Sequence, residues 1–103
     1  MPDMLSLFRQ AQLMKEKMAK FQKEMEAEEF EGSAGGNAVN VILNGKHELK
    51  SITISPKLIA GGNQEQIENL VKIAINNAGR LVNEKVKEEV NRMTGGLGIP
   101  GLL

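Results

Sequence analysis

The spacing of hydrophobic positions changes twice along this chain. Met4, Leu7, Ala11, Met14, Met18, Phe21 and Met25 recur at alternating intervals of three and four, an a/d heptad seam. No Pro or Gly interrupts it after Pro2, and Asp3 is placed to cap it. The spacing predicts a long amphipathic helix from Met1 to about Ala27. The seam is rich in Met, a flexible side chain that fills irregular gaps. It either packs on the domain's own sheet or last helix, or in part projects and pairs with another chain. A seam this long exceeds what three strands can cover, so some overhang is expected.

Between Gly32 and Ile59 the period falls to two. Val39, Val41 and Leu43 alternate with Asn40 and Ile42, and Ile52 and Ile54 alternate with Ser51, Thr53 and Ser55. Asn44-Gly45 between them signals a hairpin, with Asn and Gly both able to take positive φ. If the loop is Asn44 to His47, Leu43 faces Glu48 and Val39 faces Ile52. A tighter Asn44-Gly45 turn pairs other residues but keeps odd positions beside even ones. Either way Val39, Val41, Leu43, Ile52 and Ile54 share a face that a helix must cover. The longer loop puts Ile42 directly across from Leu49 on the other face, a small apolar patch suited to self-association. Glu29 to Ser33 reads as a short first strand around Phe30, with Gly32, Gly35 and Gly36 marking a flexible connection before the Val39 strand. Ser55-Pro56 is an N-cap followed by Pro at the first helical position, opening a short helix through Ile59 that Gly61-Gly62 ends.

From Asn63 the period returns to that of a helix, running to Met93. Asn63 caps it, with Gln66 completing a capping-box pattern. Ile67, Leu70, Val71, Ala74, Ala78, Leu81 and Val82 form its apolar face, continued by Val86, Val90 and Met93. Gly79 inside it costs about 1 kcal/mol relative to Ala, which marks it as a place of close approach. From Arg80 onward the helix is dense in charge, as a helix leaving the core would be, so both long helices are expected to extend past the sheet. Thr94-Gly95-Gly96 stops it. An apolar tail follows from Leu97 to Leu103, mobile or docked on a partner.

Composition narrows the chemistry. The chain has 103 residues, the length of a single domain, with Lys plus Arg 13 against Asp plus Glu 13. Zero net charge gives no global pull toward nucleic acid, so any such binding rests on local patches. There is no Cys, and the lone His47 lies by the hairpin turn, where simple exposure is the ready reading. Neither a secretory apolar region nor a membrane-length apolar run is present. Nothing forms a catalytic constellation, and no cofactor, metal or small-molecule substrate is implied. The chain reads as a soluble, intracellular non-enzyme.

Charge along the first helix is segregated. Arg9, Lys15, Lys17, Lys20 and Lys23 are offset only by Glu16, and Glu24, Glu26, Glu28, Glu29 and Glu31 follow. Acids at a helix C-terminus oppose the macrodipole, so helix electrostatics did not dictate this order. At 100° per residue, Arg9, Lys20 and Lys23 lie opposite the seam, with Lys15 and Lys17 flanking it. They form either a solvated face or a stripe that contacts phosphates.

The order of elements is familiar in its motifs. These are Gln10-Ala11-Gln12 with Met14, Lys17 and Met18; Ser33-Ala34-Gly35-Gly36; Val39-x-Val41; Asn44-Gly45; Ile52-x-Ile54-x-Pro56; Leu70-Val71; Ala74-x-Asn76-x-Ala78; and Thr94-Gly95-Gly96-Leu97-Gly98-Ile99-Pro100-Gly101. In order and spacing the chain resembles the bacterial YbaB/EbfC family of nucleoid-associated proteins over essentially its whole length. The resemblance implies an α+β, two-layer YbaB-like fold of a long N-terminal helix, a three-stranded antiparallel sheet, a short helix and a long C-terminal helix. It further implies a homodimer with paired helices projecting like tweezers. The implied role is binding of double-stranded DNA with limited sequence preference, in the cytoplasm and nucleoid, for nucleoid organisation and gene regulation. Our charge reading places DNA contacts at Arg9, Lys15, Lys17, Lys20 and Lys23, with Arg80, Lys85, Lys87 and Arg92 second. Dimer contacts are expected at Ile42, Leu49, Met14 and Met18. The alternative is an adaptor whose seam and tail dock replication or repair proteins, with incidental DNA contact.

Overall fold

The computed structural model describes residues 3–94; Pro2 and the apolar tail lie outside them. Helix α1 spans Met4–Ala27, strands β1 Glu29–Ala34, β2 Val39–Asn44 and β3 Leu49–Ile54, and helices α2 Pro56–Ala60 and α3 Gln64–Met93. The caps fall where local chemistry places them. Asp3 accepts from the Ser6 N–H, Ser55 from Lys57 ahead of Pro56, and Asn63 from Gln66.

The sheet is antiparallel in the order β1-β2-β3. The joint between β1 and β2 is tight: the Ala38 N–H donates to the Gly35 carbonyl across a turn with left-handed Gly35, Gly36 and Asn37. Helix α3 packs across β1 and β2, and Ala74, Ala78 and Val82 are fully buried against Phe30, Ala34, Val39, Val41 and Leu43. Gly32 makes this possible. A Cβ there would lie 2.2 Å from the Ala74 carbonyl oxygen and 2.6 Å from the Ala78 nitrogen, so the helix backbone rests directly on the strand. Gly79 does not mark the close approach. Its added Cβ would meet only His47 Cδ2, at 3.7 Å, an ordinary contact. Leu81 and Val86, expected on the apolar face, are 44% and 38% exposed, while Ile75 packs against the core.

The hairpin takes neither expected loop. The Asn44 N–H donates to the Glu48 carbonyl and the His47 N–H to the Asn44 carbonyl, closing a three-residue loop whose last member, His47, has φ 63°. Loops of this kind end in a left-handed residue. A three-residue loop alone pairs odd positions with odd ones, as in Leu43 opposite Leu49, and would turn Ile52 and Ile54 to the wrong face. An extra residue, Lys50, bulges out before Ser51 pairs with Ile42, restoring Ile52 opposite Val41 and Ile54 opposite Val39. The parity argument therefore holds for the core rows, but the expected Ile42–Leu49 opposition does not form. Ile42 sits between Glu31 and Ser51 instead.

Coverage of the sheet is also partial. One helix is about 10 Å wide and three strands spaced about 4.8 Å apart are wider. β3 is left bare, with Leu49 through Thr53 all exposed and Ile52 at 43%.

Candidate nucleic-acid interface

Among the described residues, helix α1 is held by its C-terminal end. Phe21 and Met25 are buried, and Met18 is half-buried. They line a groove of about 430 Å³ with Val86, Val90 and Met93 of α3. Gly45 takes the Met25 backbone at close quarters: its N–H donates to the Met25 carbonyl at 2.7 Å, and a Cβ there would lie 2.5 Å from that oxygen. Gly45 thus serves proximity, while positive φ falls to His47. Asn44, 2% exposed, completes the joint. Its Nδ2 donates to the Glu26 carbonyl and to Glu48 Oε1, and its Oδ1 accepts from the Lys46 and Glu48 N–H groups. Lys46 pairs with Glu26 at 2.8 Å, and this hydrogen bond and charge raise its pKa. The Asn44 hydrogen bond, with Lys50 nearby, lowers that of Glu48.

The rest of α1 is an arm. Lys17, Lys20 and Phe21 lie beside Glu89, Arg92 and Met93, so α3 runs antiparallel along α1 and its described end falls beside Lys17. From Met4 to Lys17 every residue except half-buried Ser6 is exposed, about 20 Å of helix at 1.5 Å per residue. The molecule measures 69 × 25 × 16 Å with a radius of gyration of 19.2 Å, against about 13 Å for a compact chain of this size.

Arg9, Lys15, Lys17, Lys20 and Lys23 are all exposed on α1, and none joins an ion pair among the described residues. The α3 group divides. Arg80 and Lys87 are exposed and Lys85 is half-buried. Arg92 is held by Glu88 at 3.0 Å and Glu89 at 2.9 Å, which offsets its charge locally. Of the expected dimer contacts, Met14 is 39% and Leu49 47% exposed, while Ile42 and Met18 are half-buried. Leu5, Phe8 and Leu13 fall off the heptad seam and escaped the periodicity reading, yet they are 61%, 67% and 55% exposed.

Comparison with known proteins returns a family match over most of the chain. The model of the YbaB/EbfC DNA-binding family matches residues 1–97. The chain belongs to that family. A nucleoid-associated protein of Clostridium novyi is 41% identical over 97 residues, covering 94% of this chain and 85% of that one. One from Afipia carboxidovorans is 40% identical over 102 residues, covering 99% and 97%. One from Clostridium perfringens is 42% identical over 102 residues, covering 99% and 91%. The crystal structure of uncharacterized protein HP0035 from Helicobacter pylori shares the fold at a TM-score of 0.79 and 23% identity, covering 89% of this chain and 97% of that chain. The α+β architecture of this YbaB/EbfC chain is thus the expected one. Among the described residues no helix is long and apolar enough to cross a membrane.

Proposed function

We propose that this chain is a nucleoid-associated protein that binds double-stranded DNA with limited sequence specificity. In this reading it acts as a homodimer, in the nucleoid, and influences nucleoid organisation and gene expression. The observation that carries the proposal is helix α1, where Arg9, Lys15 and Lys17 on the projecting arm, with Lys20 and Lys23 beyond it, are exposed and join no ion pair among the described residues. Phosphate contacts of this kind supply affinity without reading bases. Because net charge is zero, affinity comes from local density, and a dimer presents two arms. The scarcity of aromatic residues, three Phe and no Tyr or Trp, argues against base stacking on single strands.

A second reading rests on the exposed Met4, Leu5, Leu7 and Phe8, which suit an adaptor that docks a replication or repair protein. One experiment separates them. A labelled random-sequence duplex is titrated by fluorescence anisotropy across a salt series, beside a variant with Lys15, Lys17, Lys20 and Lys23 changed to Gln. The DNA reading expects micromolar or tighter binding at low salt, with a log–log salt slope of about −0.9 per phosphate contact that flattens in the variant. Absence of binding at low salt overturns it and leaves the adaptor, whose apolar docking is far less sensitive to ionic strength.

A further inference from the structure

The sequence contains one Asn-Gly pair, Asn44-Gly45. Such pairs are chemically labile. The backbone nitrogen after an asparagine can attack its side-chain amide, and glycine has no side chain to hinder the approach. Here the attack joins Gly45 N to Asn44 Cγ. The Gly45 N–H proton is lost, the Nδ2 group leaves as ammonia, and a five-membered imide remains. Water then opens the imide to an aspartate or an isoaspartate at position 44.

Each reacting group is held in this structure. The Gly45 N–H donates to the Met25 carbonyl at 2.7 Å. Asn44 Nδ2, the leaving group, donates to the Glu26 carbonyl at 3.2 Å and to Glu48 Oε1 at 2.8 Å. Oδ1 accepts from the N–H groups of Lys46 at 2.9 Å and Glu48 at 3.0 Å, which ties the side chain to residues beyond Gly45. At 2% exposure the residue is also shut off from the water that the second step consumes. The two carbonyls from α1 matter most. They are among those that a helix leaves unpaired at its C-terminal end. The hairpin thus satisfies α1, and α1 immobilises the reactive pair of the hairpin. When the end of α1 lifts, Gly45 N and Asn44 Nδ2 lose these partners together and water gains access.

We propose that Asn44 is a deamidation site that the docked end of α1 keeps closed. Opening of that joint starts the reaction, and the product keeps the joint from re-forming. In place of Nδ2, a carboxylate oxygen would face the Glu26 carbonyl and Glu48 Oε1, three acceptors with no donor among them. The change is one-way, because the ammonia is lost, so it accumulates with the time that α1 spends undocked. None of this requires that the arm bind DNA.

The test incubates the full chain in mildly alkaline buffer and follows aspartate and isoaspartate at position 44 by mass spectrometry of the tryptic peptide 24–46. Native protein is expected to react about a hundredfold or more slowly than protein unfolded in urea. Phe21→Ala, which removes the anchor of α1, should speed the native reaction about tenfold or more. Ala74→Gly instead weakens the α3 contact with Gly32. It should lower the melting temperature and leave the rate within about twofold. If circular dichroism shows Phe21→Ala unfolded, Met18→Ala loosens the same groove and should raise the rate by a smaller factor. Equal rates in native and unfolded protein overturn the proposal. So does equal acceleration by the α1 and α3 variants, which would make global unfolding the gate, and so does an unchanged rate in a folded α1 variant. For the product, trypsin should cut Asn44→Asp after Lys23, close to buried Met25, about tenfold faster than wild type. Cleavage there at the wild-type rate overturns the block on re-forming the joint.

Discussion

Helix α3 lays Ala74, Ala78 and Val82 on its own sheet at 0% exposure, whereas α1, with an equally regular apolar stripe, leaves Met4 at 87% and Leu7 at 52%. Side-chain size at the contact separates them. Small residues on α3 meet Gly32 on β1, so backbone rests near backbone, and the contact tolerates no added atom. The α1 stripe is built of Met, Leu and Phe, which reach across gaps and adapt to uneven surfaces. Only its last members, half-buried Met18 and buried Phe21 and Met25, find a surface among the described residues. An amphipathic stripe thus announces that a helix needs cover. It does not say whether the cover is its own sheet.

The contrast can be broken most forcefully at the α3 contact. Gly32→Ala places a methyl 2.2 Å from the Ala74 carbonyl. It should cost about 3 kcal/mol or more, read as a fall in melting temperature of roughly 10 °C or greater. A fall of only a degree or two would mean that α3 lifts easily, and the distinction between the helices would fade. The next effect compares two phenylalanines of α1. Phe21→Ala, at 9% exposure, should cost about 3 kcal/mol in urea unfolding. Phe8→Ala, at 67% exposure, should stay within about 0.5 kcal/mol. Equal costs would show that the arm is covered in solution, and a protein-concentration dependence of the Phe8 effect would identify a second copy as the cover. The smallest effect has the opposite sign. Gly79→Ala adds a methyl at an ordinary 3.7 Å from His47, so helix propensity dominates and stability should rise by up to about 1 kcal/mol. A loss there in thermal melts would mean that α3 packs more tightly at Gly79 than the geometry allows.

Much of this was legible from residue order. Helix caps at Asp3, Ser55 and Asn63 are local chemistry, each a side chain meeting an N–H two or three residues on. Strand alternation likewise named Val39, Val41 and Leu43, all buried. The hairpin was harder. Its loop length and the bulge at Lys50 compensate for one another, so alternation fixes the facing rows without revealing which residues oppose Leu43. The two glycines exchange the roles that residue order suggests, Gly79 for close approach and Gly32 for a flexible connection. Sequence marks a glycine as unusual in a helix, but only the partner backbone 2.2 Å away makes one indispensable. For the site, the basic stripe on α1 followed from helical geometry. The orientation of Arg80 by Asn77 did not, because it depends on the Ser33 carbonyl 44 residues distant.

The sequence by itself determined where each helix and strand lies, which side chains share a face, and that this is a member of the YbaB/EbfC DNA-binding family. These follow from periods, caps and motif order, all of short range. Tertiary structure alone decided that α3 covers two strands and leaves β3 bare, that α1 is an arm ahead of Met18, and that Asn77 of α3 reaches the Ser33 carbonyl of β1. Those outcomes depend on how closely two backbones can approach and on hydrogen bonds between distant segments, and neither is written in the spacing of residues along the chain.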